Sequence, residues 1–452
     1  MGTERTEPGT GRNGEPGTED GPAARIPEPA PAQIPEPAPA QIPEPAPRQI
    51  PEPAPRQIPE PAPGQIPAPA PPEPDIRTGA PDASTGGPDP RTDPDPAPAP
   101  VPGTAPGRLQ RLAGVWRRPA LRWPRRIASA LVLVLLLPPL AAGIALRVNY
   151  AGDPAAGTYT RHRDALWMGH AWVDGRKKDA DVRALAARLR TTGVRDLYVH
   201  AGPLEHDGTL PASAYPRARR LIGAIHREIP SVRVQAWLGD ELATEGPVGL
   251  RLERAATRTA VVRSAGQVLD AGFDGAHFDL EPLHSGDADY LSLLGDLRRV
   301  TRAHGALLSV AAHQIDPLPS LHSVAGAVTG HPKWWSQAFF GQVARRVDQI
   351  AVMSYDTALP LESLYGGYVA QQTSLALEVT PKTTDLLMGL PFYYEDNMDH
   401  HGSAETVAAA VRGARLGLSR TDRTRENFGV AAYVDFAARE KDWAEYERGW
   451  VR

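Results

Sequence analysis

Residues 161–452 predict an α/β chain folded as a (β/α)8 TIM barrel, preceded by a single transmembrane helix and a disordered Pro-rich amino-terminal tail. Three observations carry this. Eight short apolar runs alternate with amphipathic stretches over about 290 residues, the size of such a barrel. Twenty residues without a charge, Ile127 to Leu146, follow a cluster of arginines. Ahead of that cluster an octapeptide, Ile-Pro-Glu-Pro-Ala-Pro-x-Gln, recurs from Ile26 at Ile34, Ile42, Ile50 and Ile58, with a degenerate copy at Ile66.

The tail, residues 1–107, is read from its prolines. Proline at every second place removes backbone donors and fixes φ, so neither helix nor sheet can propagate, and an extended polyproline-like spacer results. Its period is too short for stacked repeat architectures, and it has almost no apolar surface to stack. Its preformed conformation is one that a proline-recognition module can bind.

Between Asp95 and Asp153 no acidic residue occurs, while Arg108, Arg111, Arg117, Arg118, Arg122, Arg125 and Arg126 crowd residues 108–126. The segment that follows, 127–147, has an uncharged core of twenty residues that covers about 30 Å as a helix, the thickness of a hydrocarbon core. Pro138 and Pro139 kink it at most. It begins too far along the chain for a cleaved signal peptide. An uncleaved signal anchor is expected, with the arginine side and the tail cytoplasmic and the carboxyl-terminal bulk outside the plasma membrane. Trp116 and Trp123 suit the cytoplasmic interface. A Gly-containing linker, 148–160, leads into the barrel domain, 161–452.

Within that domain the expected strands are residues 165–172, 196–201, 232–238, 273–281, 307–312, 349–355, 385–393 and 428–435. Helical patterns fall between them, such as 181–190 with Val182, Leu185, Ala186 and Leu189 on one face, 290–303 and 404–416. Gly193, Gly272 and Gly305 stand where helices end. A doubly wound open sheet is the alternative, and it needs fewer strands or a second domain. Net charge of −4 gives no reason to expect a nucleic-acid partner, and the lack of cysteine excludes disulfides, a thiol nucleophile and Cys-based metal sites.

The most informative run is Ala271-Gly-Phe-Asp-Gly-Ala-His-Phe-Asp-Leu-Glu-Pro282. As a strand, its period of two puts His277, Asp279 and Glu281 on one face and Phe278 and Leu280 on the other. Two carboxylates in one inward row suggest that one helps hold the other protonated, the acid half of acid/base chemistry. In a barrel the reactive groups sit at the carboxyl ends of strands. That rule gathers His170, His200, Trp237, Asp240, Glu241, Glu281, His313, Gln314, Tyr355, Asp356, Tyr393, Glu395, Asp396, Tyr433 and Asp435 on one rim. Acids mixed with aromatics suit sugars, whose ring faces stack while their hydroxyls take hydrogen bonds.

Asp274-Gly-Ala-His-Phe-Asp-Leu-Glu281 resembles the Asp-Gly-x-Asp-x-Asp-x-Glu signature on strand four of family 18 glycoside hydrolases, the chitinase-like barrels. Val352-Met-Ser-Tyr-Asp356 resembles their strand-six Met-x-Tyr-Asp motif, and Met388-Gly-Leu-Pro-Phe-Tyr393 a strand-seven segment. The resemblance spans roughly residues 161–452. It implies a substrate-assisted retaining mechanism acting on N-acetylglucosamine-containing polymers, without cofactor or metal. Glu281 would be the general acid, Asp279 would orient the 2-acetamido group, and Tyr355 would hydrogen-bond it, with Met353 and Asp356 in the same subsite. Asp274, His277, Trp237, Tyr393 and Tyr433 complete the expected substrate-binding set.

Two positions differ from the family. His277 replaces an aspartate, and its imidazole is expected to hydrogen-bond Asp279, lowering the pKa of the acids if protonated. Ala432 and Tyr433 occupy the strand-eight region where the family carries a tryptophan. Both permit a barrel that binds glycan without cutting it. A third reading is a metal-dependent hydrolase using His170, His200, His277 and His313 with Asp279 or Glu281, though no pair has His-x-His spacing. The run Glu395-Asp-Asn-Met-Asp-His-His401 reads as a solvated loop, and Trp334 and Trp335 as the buried start of the fifth helical stretch.

Overall fold

The computed structural model describes residues 122–452 except 245 and 324–332. The Pro-rich repeats and most of the arginine cluster therefore lie outside the described residues.

The elements, in order, are helix α1 (Arg122–Tyr150), β1 (Asp164–Met168), α2 (Ala171–Asp174), α3 (Asp179–Leu189), β2 (Val194–His200), α4 (Ala218–Glu228), β3 (Arg233–Glu241), α5 (Ala255–Asp270), β4 (Gly275–Glu281), α6 (Ala288–Ala303), β5 (Leu307–Ala312), β6 (Gln314–Ile315), β7 (Trp334–Trp335), α7 (Gln337–Ala344), β8 (Gln349–Val352), α8 (Glu362–Val379), β9 (Asp385–Pro391), α9 (Val407–Thr421), β10 (Phe428–Tyr433) and α10 (Glu440–Tyr446). Strands β1, β2, β3, β4, β5, β8, β9 and β10 form a closed barrel, every pair parallel. The open-sheet alternative is thereby excluded. All eight expected runs are barrel strands; the fifth has the expected bounds and most others end within a few residues of them. The first ends at Met168, because His170 caps the short helix α2, which begins at Ala171.

Alternation explains the two cores. Phe278 and Leu280 on β4 face outward and join the large apolar layer between strands and helices, with Leu293, Leu297 and Phe339. Residues one position away line the barrel interior, where Trp167, Tyr198, Ala311, Ala351, Leu387 and Ala431 pack together. Truncating a ring such as Phe278, fully buried, costs about 3–5 kcal/mol by lost transfer energy and cavity formation. The interior is polar towards the base. Asp196 accepts from Arg233 at 2.6 Å, Gln235 at 2.9 Å and Gln349 at 3.0 Å, which pairs its buried charge.

Trp334 and Trp335 differ from expectation. They form a two-residue strand against Gln314–Ile315, with Trp335 buried, and the helix begins at Gln337 after a Ser336 cap. The linker differs too. Helix α1 runs on to Tyr150, and the chain after it is bonded to the barrel: Arg412 donates to the Gly152 carbonyl at 2.8 Å and Arg415 to that of Thr158 at 2.9 Å.

Candidate active site

Strand β4 presents His277, Asp279 and Glu281 inward at three successive levels. Register with β3 sets Trp237 beside His277 and Gly239 beside Asp279. The glycine leaves room for the indole to lean up over it, and Trp237 Nε1–H donates to Asp279 Oδ2 at 3.0 Å. Asp279 Oδ1 is buried and has no hydrogen-bond partner. Burial pushes Asp279 up to about 6, with the Trp237 bond pulling the other way. Glu281, at the strand end, is pushed up to about 8 by desolvation, then by the charges of Asp279 and Asp356. Its side chain still keeps 43% exposure, so the acid is open to whatever enters. The two titrate as a pair.

Aromatic rings from three other strand ends wall the same space. Tyr355 and Tyr433 stack at 5.3 Å between centroids, and Tyr393 stands edge-on to both. Burial first, and then Tyr433 with Asp279, Asp356 and Glu281, holds the Tyr355 phenol well above its ordinary range, so it stays a donor. Tyr393 donates to Asp356 Oδ1 at 2.6 Å. Asp356 itself has φ of 55°, a left-handed conformation that aspartate tolerates better than branched residues. Met353 packs beside the barrel-interior cluster.

Glu281, Asp279, Tyr355, Met353, Asp356, Trp237, Tyr393 and Tyr433 therefore share one mouth. Two expected residues do not. Asp274 precedes β4 at the base of the barrel, where its carboxylate pairs with His226 at 2.9 Å and accepts the Val234 N–H at 2.7 Å. Four residues of strand separate it from Asp279. His277 is fully buried below the acids. Its Nε2 accepts from Trp167 Nε1–H at 3.1 Å, which leaves the proton on Nδ1 to be donated to Ser309 Oγ at 2.7 Å. Tyr198 stacks on its face at 3.8 Å. Burial pushes it down to about 3, so it is neutral, and both ring nitrogens are engaged by Trp167 and Ser309. The expected His277 to Asp279 bond is replaced by these two partners because the ring lies one level down, beside Trp167.

The four histidines of the metal reading do not converge. His170 and His200 meet edge-on at 5.5 Å, His277 is below, and His313 Nε2 lies 3.5 Å from Glu281 Oε1. Among the described residues the group with ligand-like spacing is instead Asp356, His400 and Glu405. Sequence reasoning missed the last two. His400, read as part of a solvated loop, is fully buried, with Nδ1 3.2 Å from Asp356 and 3.4 Å from Glu405. Burial lowers its pKa, but the two carboxylates outweigh that and push it up to about 9. Glu405 also accepts both the N–H and the hydroxyl of Thr357 at 2.9 Å. It thus clamps the loop carrying Asp356. Only the flanking Asp and Glu hinted at this; the pairing spans forty-odd residues.

No protein-family model and no curated protein sequence matches this chain. Among solved structures it is similar to the spore cortex-lytic enzyme SleL of Bacillus megaterium, at 13% identity, TM-score 0.44, over 64% of this chain and 74% of that one. It is also similar to the group IV chitinase of Ostrinia furnacalis, at 15% identity, TM-score 0.42, over 61% and 93%. A class V chitinase of Pseudomonas fluorescens aligns at 15% identity, TM-score 0.42, over 63% and 98%. The chain folds as a closed eight-stranded parallel barrel, and the three stretches whose sequences resemble family 18 motifs run up to the rim ends of β4, β8 and β9.

Proposed function

We propose that the chain is a membrane-anchored glycoside hydrolase that cleaves N-acetylglucosamine-containing glycans with substrate-assisted retention of configuration. The observation that carries this is the β4 carboxyl pair: Glu281 held up to about 8 beside Asp279, whose Oδ1 is unengaged. Near neutrality Glu281 keeps its proton and gives it to the glycosidic oxygen as the bond to the anomeric carbon breaks. The carbonyl oxygen of the substrate's own 2-acetamido group forms the new bond to that carbon. Asp279 accepts the amide N–H through Oδ1 and balances the positive charge of the resulting oxazolinium, while Tyr355 orients the acetamido group. Water then attacks the anomeric carbon, Glu281 takes its proton back, and the ring opens to the acetamide. Tyr433 serves as the platform under the sugar, in place of a tryptophan.

The test is release of fluorophore from N-acetylglucosaminides by the full chain in nanodiscs. Glu281→Gln is expected to reduce turnover by about 10²–10⁴-fold, the usual contribution of a positioned acid, with unchanged far-UV circular dichroism. Wild-type rates in that variant would end the proposal.

His277 favours a second reading, a glycan-binding barrel without turnover. With both ring nitrogens occupied and the ring neutral, it cannot exchange a proton with Asp279. Calorimetric binding of a chito-oligosaccharide with no product on long incubation would select this reading.

The same proposal treats α1 as the anchor. Its uncharged residues 127–146 span about 30 Å, its large apolar side chains from Val132 to Leu137 are exposed, and the arginines ahead of it support a cytoplasmic location for that side. Residues 161–452 then face outward.

A further inference from the structure

Every exposed large hydrophobic among the described residues of the barrel lies on one side. Val248 follows β3, Leu318 follows β6, Leu361 follows β8, and Tyr394 and Met398 follow β9, with exposures from 48% at Leu361 to 88% at Met398. All five are on loops at the carboxyl ends of strands, the rim that carries the candidate site. The loops at the base contribute none.

The direction of α1 says what covers them. Barrel helices run antiparallel to their strands, so α8 and α9 start at the rim and end at the base. Gly143 of α1 lies against Leu364 in the first turn of α8, and Leu146 three residues later lies against Gly367. Arg420 in the last turn of α9 donates to the carbonyls of Asn149 at 2.6 Å and Ala151 at 2.7 Å. Helix α1 thus descends beside α8 from rim to base, and its free apolar part, before Gly143, projects past the rim. The docking is close. A Cβ on Gly367 would run into the backbone of Leu146, and one on Gly366 into the Tyr150 ring, which Arg412 covers at 5.1 Å.

Residues 127–142 give only about 24 Å of helix at 1.5 Å per residue, short of the roughly 30 Å of a hydrocarbon core. The span is complete only when residues 143–146 are included, and these are the ones docked on the first turns of α8. The lipid boundary therefore passes at the level of the rim.

We propose that the barrel rests rim-down on the bilayer that α1 spans, with Val248, Leu318, Leu361, Tyr394 and Met398 in the headgroup region and the mouth holding Glu281 opening towards the lipid surface. Apolar side chains on such loops insert about 5–10 Å into the headgroup and acyl boundary. This rests on the reading of α1 as an anchor.

The chain has no cysteine, so single labels can be placed at will. The full chain is reconstituted in phosphatidylcholine vesicles with a fluorophore on Val248→Cys, Leu318→Cys or Met398→Cys at the rim, Ser231→Cys or Glu426→Cys at the base, or Leu135→Cys in α1. Lipid carrying a nitroxide near the headgroup end of its chain, which reports the rim sites, or near the methyl end, which reports Leu135→Cys at mid-bilayer, is then titrated in. Quenching at the three rim sites and at Leu135→Cys, with none at the two base sites, is the expected result. Quenching at Leu135→Cys with none at the rim overturns rim-down docking and leaves the anchor standing. No quenching at Leu135→Cys overturns the anchor and the docking together. Rim signals that follow the number of chains per vesicle, and not the nitroxide, would assign the face to a second copy and also overturn it.

Discussion

Trp237 gives its only polar hydrogen to Asp279, at 3.0 Å, and so decides which of the two carboxylate oxygens is left for a ligand. The bond also favours the ionised form of an acid that burial would otherwise keep neutral. Trp237→Phe removes the donor and keeps most of the ring. The pKa of Asp279 should rise further, so the acid limb of the kcat/KM profile should move to higher pH, with activity down about 10- to 100-fold where one charged hydrogen bond of about 1.5–3 kcal/mol is lost. An unchanged acid limb in steady-state assays would mean that Asp279 does not control it.

The basic limb is expected to follow Glu281. Its folded value is raised to about 8 from an ordinary 4.5, so turnover should fall as pH passes 8 and the acid is lost. Stability follows the same sign. A raised folded pKa contributes fully below pH 4.5 and its contribution is lost as pH rises through 8. Glu281→Gln should therefore raise Tm by a few degrees at pH 8 and leave it nearly unchanged at pH 4, as read by differential scanning calorimetry.

His277→Asp would restore the residue type found at this position in the family resemblance, yet it should damage this protein. The pocket offers the Trp167 N–H and the Ser309 hydroxyl but no cation, and it is fully buried. A carboxylate there is unpaired, or protonated at a cost, and a loss of about 3–5 kcal/mol is expected in urea unfolding at pH 7. A variant as stable as wild type would show that the pocket repacks.

The buried pair of His400 and Glu405 should be a pH-dependent clamp. With its folded pKa raised to about 9, His400 contributes stability that is complete below its unfolded value near 6.5 and disappears as pH rises through 9. His400→Phe leaves Glu405 and Asp356 facing each other, and should cost about 3–5 kcal/mol at pH 6. The gap to wild type should narrow by pH 10. Equal losses at both pH values would show that packing, and not charge, is what the imidazole supplies.

Much of this site is legible in one strand. A period of two from His277 to Glu281 is enough to put the two acids on the inner face and Phe278 and Leu280 on the outer one, because side chains alternate in any strand. The same alternation, eight times over, gave the barrel. It misplaced Asp274, since alternation fixes a face and says nothing of how far along the barrel axis a residue sits. It also could not separate His277, a level down and fully bonded, from the acids that share its face.

Sequence by itself determined the eight strands, the inward carboxyl pair and the twenty-residue apolar stretch, all of which depend on local periodicity and run length. Only the tertiary structure decided that Trp237 holds Asp279, that His400 and Glu405 brace Asp356, that the chain after α1 is bonded to the barrel, and that α1 rises from the rim. These are contacts between residues tens to hundreds of positions apart, set by barrel closure and helix packing, and no local pattern encodes them.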